Sequence, residues 1–276
     1  CIRDSNNHLE RTMITPPSDA LSSLLPGGKG VWVPMDHGLS SFPVRGLRNI
    51  EEAIDDCIEG GVDAIVLQKG VLSHQIKRLS WPNFIMHVSA STIHAGINSD
   101  NKVSVGDPSE AKERGAVAIS CQINLGSQNE GEMIRDAGLL TGAALAHDMP
   151  VLGMIYPRGP GLVQIDGDRT NGVAHAARLA WELGCHVAKV PWTGSADSFH
   201  DVCSSVPIPV LIAGGQPNIS FAQTLEIVET AISVGGAGVC MGRQIFEAND
   251  RIDRIRALRA VIHEGKTSNE AIQIMG

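Results

Sequence analysis

Eight times along this chain a short apolar, β-branched run ends in a glycine or a polar cluster and gives way to an amphipathic stretch, and few architectures absorb that rhythm. The runs are residues 31–35, closed by Asp36-His37-Gly38; 64–67, closed by Gln68-Lys69-Gly70; 84–88, closed by Ser89-Ala90-Ser91; and 117–123, closed by Asn124-Leu125-Gly126. The second four are 150–155, running into Tyr156-Pro157-Arg158-Gly159; 186–190, into Pro191-Trp192-Thr193-Gly194; 209–213, into Gly214-Gly215; and 237–241, into Gly242-Arg243. Between them, segments such as 50–59, 130–146, 173–183 and 221–234 place apolar residues at three- and four-residue steps, as helices packed on one face do.

Strands alternating with helices build parallel sheets, and near-continuous apolar strands are buried on both faces. Eight strand–helix units close a (β/α)8 TIM barrel, an α/β fold of about 250 residues in one domain. The rival, a doubly wound open sheet, calls for a G-x-G-x-x-G turn after the first strand, where this chain has Asp-His-Gly. The expected organisation is an N-terminal extension over residues 1–25 and a barrel over 26–276.

Composition removes several function classes. The chain has 43% hydrophobic and 19% charged residues, enough for a full core, and no apolar run near the roughly 20 residues that span a bilayer. No cleavable leader pattern is present, so a cytoplasmic enzyme with no membrane partner is expected. A net charge of −8 argues against nucleic acid as partner. Cys1, Cys57, Cys121, Cys185, Cys203 and Cys240 show no paired spacing and read as reduced thiols.

In such a barrel the chemistry sits at the C-terminal ends of the strands. Read in order, those ends supply Asp36, His37, Lys69, Ser89, Asn124, Tyr156, Arg158, Lys189, Trp192, Gly214, Gly215, Gly242 and Arg243. Lys189 lies within the apolar run Val187-Ala188-Lys189-Val190, where alternation aims it inward with Val187 and Pro191. Desolvation and cations such as Lys69 or Arg158 would lower its pKa and free a neutral amine for attack on a carbonyl. Strand position alone leaves open a buried lysine paired with a carboxylate.

Tyr156 is the only tyrosine and ends the run before that of Lys189; its hydroxyl could shuttle a proton beside an imine, or belong to the core. Asp36 could accept a proton or cap a helix. Gly214-Gly215 and Gly242-Arg243 end the seventh and eighth runs, the usual phosphate site of these barrels, where glycine lets backbone N–H groups approach an anion. His37, His87, His94 and His175 raise the question of zinc, but no H-E-x-x-H or Cys-x-x-Cys accompanies them, and no metal is expected.

Six segments together resemble the archaeal-type class I aldolase family, which includes class I fructose-bisphosphate aldolases and 2-amino-3,7-dideoxy-D-threo-hept-6-ulosonate synthase. They are Val33-Pro34-Met35-Asp36-His37-Gly38, Met86-His87-Val88-Ser89-Ala90-Ser91-Thr92, Met154-Ile155-Tyr156-Pro157-Arg158-Gly159, Ala188-Lys189-Val190-Pro191-Trp192-Thr193-Gly194, Ile212-Ala213-Gly214-Gly215 and Met241-Gly242-Arg243-Gln244-Ile245-Phe246. The resemblance implies Lys189 as Schiff-base lysine, Tyr156 as proton donor and Asp36 as proton acceptor. It implies substrate contacts from Asp36, His37, Gly38, Leu39 and Ser40 and from Tyr156, Pro157 and Arg158, and phosphate contacts from Gly214, Gly215, Gly242 and Arg243. The covalent lysine needs no cofactor, and a homo-oligomer is implied. Where the family often has tyrosine and histidine, this chain has Trp192 and Gln68.

The expected activity is aldol or transaldol chemistry on a phosphorylated ketose, joining a dihydroxyacetone-phosphate or ketose-phosphate donor to an aspartate-semialdehyde-like acceptor, in aromatic precursor supply or secondary metabolism. The alternatives are a fructose-bisphosphate aldolase and a barrel that binds a sugar phosphate without catalysis.

Overall fold

A computed structural model describes residues 18–163, 169–214 and 219–275. All eight apolar runs form strands: β1 (Gly30–Pro34), β2 (Ala64–Gln68), β3 (Phe84–His87), β6 (Ala118–Leu125), β7 (Val151–Pro157), β8 (Val187–Val190), β9 (Val210–Ala213) and β10 (Gly238–Cys240). They pair in parallel in that order, and β10 pairs back onto β1 to close the barrel. The intervening β4 (Ser89–Ala90) and β5 (Val103–Ser104) form a small antiparallel pair inside the connection from β3 to β6.

The helices follow the anticipated segments. Helix α3 (Ile50–Gly60) starts at Asn49, whose side chain accepts from the Glu52 N–H, and ends at Gly61 with φ of 87°, a left-handed conformation suited to glycine. Helices α6 (Glu130–Leu145), α7 (Arg169–Glu182), α9 (Phe221–Ser233) and α11 (Arg251–Ile262) cover the barrel wall. The shorter α5 (Pro108–Glu113), α8 (Ala196–Ser204), α10 (Arg243–Phe246) and α12 (Ser268–Ile272) complete the connections. Ser220 and Gln223 form a reciprocal capping box at the start of α9. None of the helices is long and apolar enough to cross a membrane, among the described residues.

Strand alternation sorts the core into two layers. Trp32, Val66, Ile85, Leu152, Met154, Val187, Leu211 and Cys240 belong to the barrel interior. Val31, Val33, Ile65, Leu67, Ile119, Ile155, Ala188, Val190 and Val239 belong to the layer under the helices. Lys189, between Ala188 and Val190, takes the inward direction that alternation assigns to it.

Of the segment expected as an extension, residues 1–17 lie outside the described residues, while α1 (Ser18–Leu24) packs against the barrel. Leu24 and Leu25 join the interior cluster, and the Trp32 indole donates to the Leu24 carbonyl at 2.7 Å, so this segment seals the end of the barrel opposite the strands' C-termini. At the same end Asp63, only 7% exposed, accepts from the Val31 N–H at 2.7 Å and pairs with Arg259 at 3.1 Å and His263 at 2.7 Å, tying α11 to the first strands. Cys57, Cys121, Cys185 and Cys240 are buried free thiols and Cys203 is half-buried; Cys1 falls outside the described residues.

Candidate active site

The open end of the barrel holds a cavity of about 450 Å³, lined by residues from most strand ends. Asp36, His37, Ser40, Tyr156, Pro157, Arg158, Lys189, Gly214, Gly242 and Arg243 all contribute. Gly38 and Leu39, implied as substrate contacts, do not line it, because the short helix α2 (His37–Ser41) turns them away; Leu39 is 39% exposed. Gly215 lies outside the described residues. Ser89 is buried with its Oγ accepting the Gln122 N–H.

Lys69 is not near Lys189. Its Nζ donates to the Val105 carbonyl at 2.6 Å and pairs with Glu110 at 3.1 Å, because it opens helix α4 (Lys69–Arg78) rather than ending inside the barrel.

Lys189 is 5% exposed, and its cross-strand partners are Met154 and Leu211. No carboxylate lies within ion-pair distance of its ammonium among the described residues, which removes the structural ion pair as an explanation of its burial. Its Nζ contacts the Met154 sulfur at 3.8 Å and sits 6.0 Å from the Tyr156 ring centre. Burial works against the ammonium, but Cys240, Tyr156 and Asp36 favour it and prevail, so its pKa stands above the ordinary lysine value. The expected depression is thus corrected: Lys189 rests as an ammonium that must give up a proton before it can attack.

Asp36 stands at the start of α2, yet its side chain makes no capping hydrogen bond and is left for the cavity. His37 Nδ1 lies 3.8 Å from one carboxylate oxygen and His87 Nε2 lies 3.8 Å from the other. Burial would raise the Asp36 pKa, but His87, His37 and Lys189 outweigh it and hold the carboxyl below its usual range. Burial pushes His37 down as well, and drives His87 down to about 4.

The state of His87 predicts a pH dependence of stability. An unfolded imidazole takes its proton near 6.5, whereas folded His87 stays neutral until about 4, so acidification across that window favours the unfolded chain. The contribution present above pH 6.5 and lost by pH 4 is on the order of 3 kcal/mol, since each tenfold difference in proton affinity is worth about 1.4 kcal/mol. Urea unfolding of wild type and His87→Gln at neutral and acidic pH should show the wild type losing more on acidification by about that amount; parallel losses would refute the assignment.

Tyr156 projects from the end of β7 with the Arg158 guanidinium 4.6 Å over its ring, and Arg158 Nε donates to Asn124 Oδ1 at 3.0 Å. Gln122 Nε2 donates to the same oxygen at 2.9 Å. Glycine is required at both positions: a Cβ on Gly214 would meet the Met241 side chain at 2.8 Å, and one on Gly242 would meet the Pro34 carbonyl at 2.5 Å. Trp192 packs against Phe199 with ring centres 5.0 Å apart and lines the cavity. Gln68 is buried and donates to the Ser89 carbonyl at 3.2 Å.

Sequence reasoning missed Lys102, Gln122 and Met154, which also line the cavity. Inward alternation two residues before Asn124 and Tyr156 would have found Gln122 and Met154. Lys102 enters from the loop before β5 and reaches Ser40 Oγ at 3.4 Å. Burial and the nearby Arg158 lower its pKa, against the pull of Asp36. The cavity therefore has two cationic regions, Lys102 with Arg158, and Arg243; none of the three forms an ion pair among the described residues. Of the histidines considered for zinc, His37 and His87 flank Asp36, while His94 and His175 do not line this cavity.

The model of the DeoC/LacD family aldolases matches residues 31–248, the whole run from β1 past β10. The chain belongs to the DeoC/LacD aldolase family. This aldolase is 33% identical to the 2-amino-3,7-dideoxy-D-threo-hept-6-ulosonate synthase 1 of Archaeoglobus fulgidus, over 93% of its own length and 94% of the relative's. It is 34% identical to the 2-amino-4,5-dihydroxy-6-oxo-7-(phosphonooxy)heptanoate synthase of Streptomyces griseus, over 87% and 86% of the two chains. In fold the aldolase matches an archaeal fructose-1,6-bisphosphate aldolase whose catalytic lysine was captured covalently bound to the carbinolamine intermediate, with a TM-score of 0.78, 25% identity, and 90% and 99% of the two chains covered.

Proposed function

We propose that this aldolase is a class I, Schiff-base enzyme that makes or breaks a C–C bond in a phosphorylated ketose, and that it joins a dihydroxyacetone-phosphate or ketose-phosphate donor to an aspartate-semialdehyde-like acceptor. The observation that carries the reading is Lys189: a buried amine at the inner end of the cavity, without an ion-pair partner among the described residues, facing Tyr156 and Asp36. The names of the two relatives favour the synthase over the fructose-bisphosphate aldolase as the physiological activity.

The parts divide the work. Lys189, once deprotonated, adds to the donor ketone, and loss of water gives an iminium ion. That cation takes up the electron pair of the breaking C–C bond of a ketose phosphate, or of an α C–H bond of dihydroxyacetone phosphate whose proton passes to a base; the resulting enamine adds to the acceptor carbonyl, and hydrolysis of the new iminium frees the product and the amine. This reading requires no metal or other cofactor, since the iminium is the electron sink. Asp36 accepts the proton of the substrate hydroxyl whose C–C bond breaks, and Tyr156 donates the proton that lets the carbinolamine oxygen leave as water. Gly214, Gly242 and Arg243 bind the donor phosphate, a role the sequence also gives Gly215, and fix the carbonyl carbon near the amine. His37, Ser40, Pro157 and Arg158 shape the remaining surface, and Lys102 with Arg158 meets an anionic group on the acceptor.

That last pairing keeps a second reading in play, because the acceptor anion is a carboxylate in aspartate semialdehyde and a phosphate in glyceraldehyde 3-phosphate. The test is intact mass after borohydride reduction in the presence of dihydroxyacetone phosphate or a ketose phosphate, followed by product analysis with each acceptor. A stable adduct and a product formed only with aspartate semialdehyde are expected. Triose release from fructose bisphosphate without that product would establish the aldolase, and a folded protein giving no adduct across the panel would leave a binding-only barrel.

A further inference from the structure

The surroundings of His87 give it a partner other than a metal. It ends β3 in register with Ser120 on β6, so both side chains point into the barrel, and its Nδ1 lies 2.9 Å from Ser120 Oγ. Its ring is 2% exposed and does not line the cavity, which removes it from contact with substrate. The other nitrogen, Nε2, is buried, has no hydrogen-bond partner among the described residues, and faces Asp36 Oδ2 at 3.8 Å.

A buried imidazole nitrogen left unpaired is costly and calls for a partner. The Ser120 hydroxyl can donate to Nδ1, which leaves the ring proton on Nε2, directed at a carboxylate that would repel a lone pair. The Asp36 carboxylate makes no capping bond, and the backbone hydrogen bond it accepts is from its own residue, so a movement of about 1 Å brings Nε2–H into hydrogen-bond range.

We propose that His87 is a positioning residue whose Nε2–H, set by Ser120, orients the Asp36 carboxylate and keeps it anionic for the proton it accepts in turnover. The inference rests on the reading of Asp36 as proton acceptor. Besides His87, the titratable groups facing Asp36 are His37, Lys102, Lys189 and Cys240. His37 stands on the opposite carboxylate oxygen, Lys189 and Cys240 come from β8 and β10, and Lys102 from the loop before β5. All four remain in a His87 variant, so a change in the acidic limb of activity reports the lost donor.

The experiment compares wild type, His87→Asn, His87→Gln and Asp36→Asn for kcat and KM between about pH 5 and 9. Asparagine keeps a polar group near Nδ1 and removes the donor at Nε2, whereas the glutamine amide nitrogen reaches close to where Nε2 lay. His87→Asn should lower kcat about 10- to 100-fold with KM within about threefold, and move the acidic limb up by about one pH unit, because the carboxylate has lost a hydrogen bond that favours its charge. His87→Gln should restore most of both. Loss of kcat without movement of the limb, unchanged behaviour of His87→Asn, or equal impairment of both variants overturns the proposal. Asp36→Asn separates the two levels: if it is active, the role of Asp36 itself fails, and if it is inactive while the His87 variants behave as wild type, only the positioning role fails. Should the variants not fold, ¹⁵N resonances of the wild-type imidazole decide: a neutral ring protonated at Nε2 throughout the range is expected, and an Nδ1–H tautomer or an imidazolium overturns it.

Discussion

Replacing Lys189 by methionine is expected to lower kcat by at least about 10⁴-fold, the scale on which loss of a covalent nucleophile acts and equivalent to about 5 kcal/mol of barrier. The substitution is nearly isosteric, and the position already contacts the Met154 sulfur and pairs across the sheet with Leu211, so the barrel should accept it. Phosphate binding should survive, since Gly214, Gly242 and Arg243 belong to other strands. The pattern to look for is a donor phosphate that still protects the protein against thermal unfolding, with no borohydride adduct and no turnover. A variant that kept more than a few per cent of its activity would remove Lys189 from the chemistry.

Tyr156→Phe should separate two steps that the lysine variant abolishes together. The phenyl ring keeps the face on which Arg158 lies at 4.6 Å, so the cavity wall should hold. What disappears is the hydroxyl, and turnover should fall by about 10²- to 10⁴-fold, the range for a lost general acid. The amine remains, so slow trapping of the ketone by borohydride should persist. Turnover within a few-fold of wild type would assign the proton transfer to another group.

The barrel was legible because its strands are buried on both faces, one against the interior and one against the helices, and such strands read as continuous apolar runs with sharp ends. The β4–β5 pair was not, because strands as short as Ser89–Ala90 and Val103–Ser104 are set by pairing across a loop and leave no periodic trace. The same distinction applies to the cavity. Lys189, Tyr156, Asp36, Gly214, Gly242 and Arg243 could be found because each ends a strand, and in a parallel barrel every strand ends at the same mouth. Lys102 arrives sideways on a long connection and could not be found that way. His87 was visible as a histidine, but its meaning depends on Ser120 and Asp36, which only the closed barrel brings beside it. The surroundings of Lys189 were hidden for a related reason: Cys240, Tyr156 and Asp36, which offset its burial, come from three other parts of the chain.

The plug formed by Leu24, Leu25 and Trp32 makes the barrel a cul-de-sac. Among the described residues, what reaches Lys189 comes and goes at the strands' C-terminal ends, and the amine lies at the inner end of that passage. A donor seated there is overlain by whatever enters next, so the acceptor cannot precede it without barring the way, and the acceptor must be the last to enter. Queueing of this kind is imposed by the shape of the passage rather than by relative affinities. It should appear in steady-state kinetics as a compulsory order of addition, with excess acceptor inhibiting by occupying the doorway of the empty enzyme.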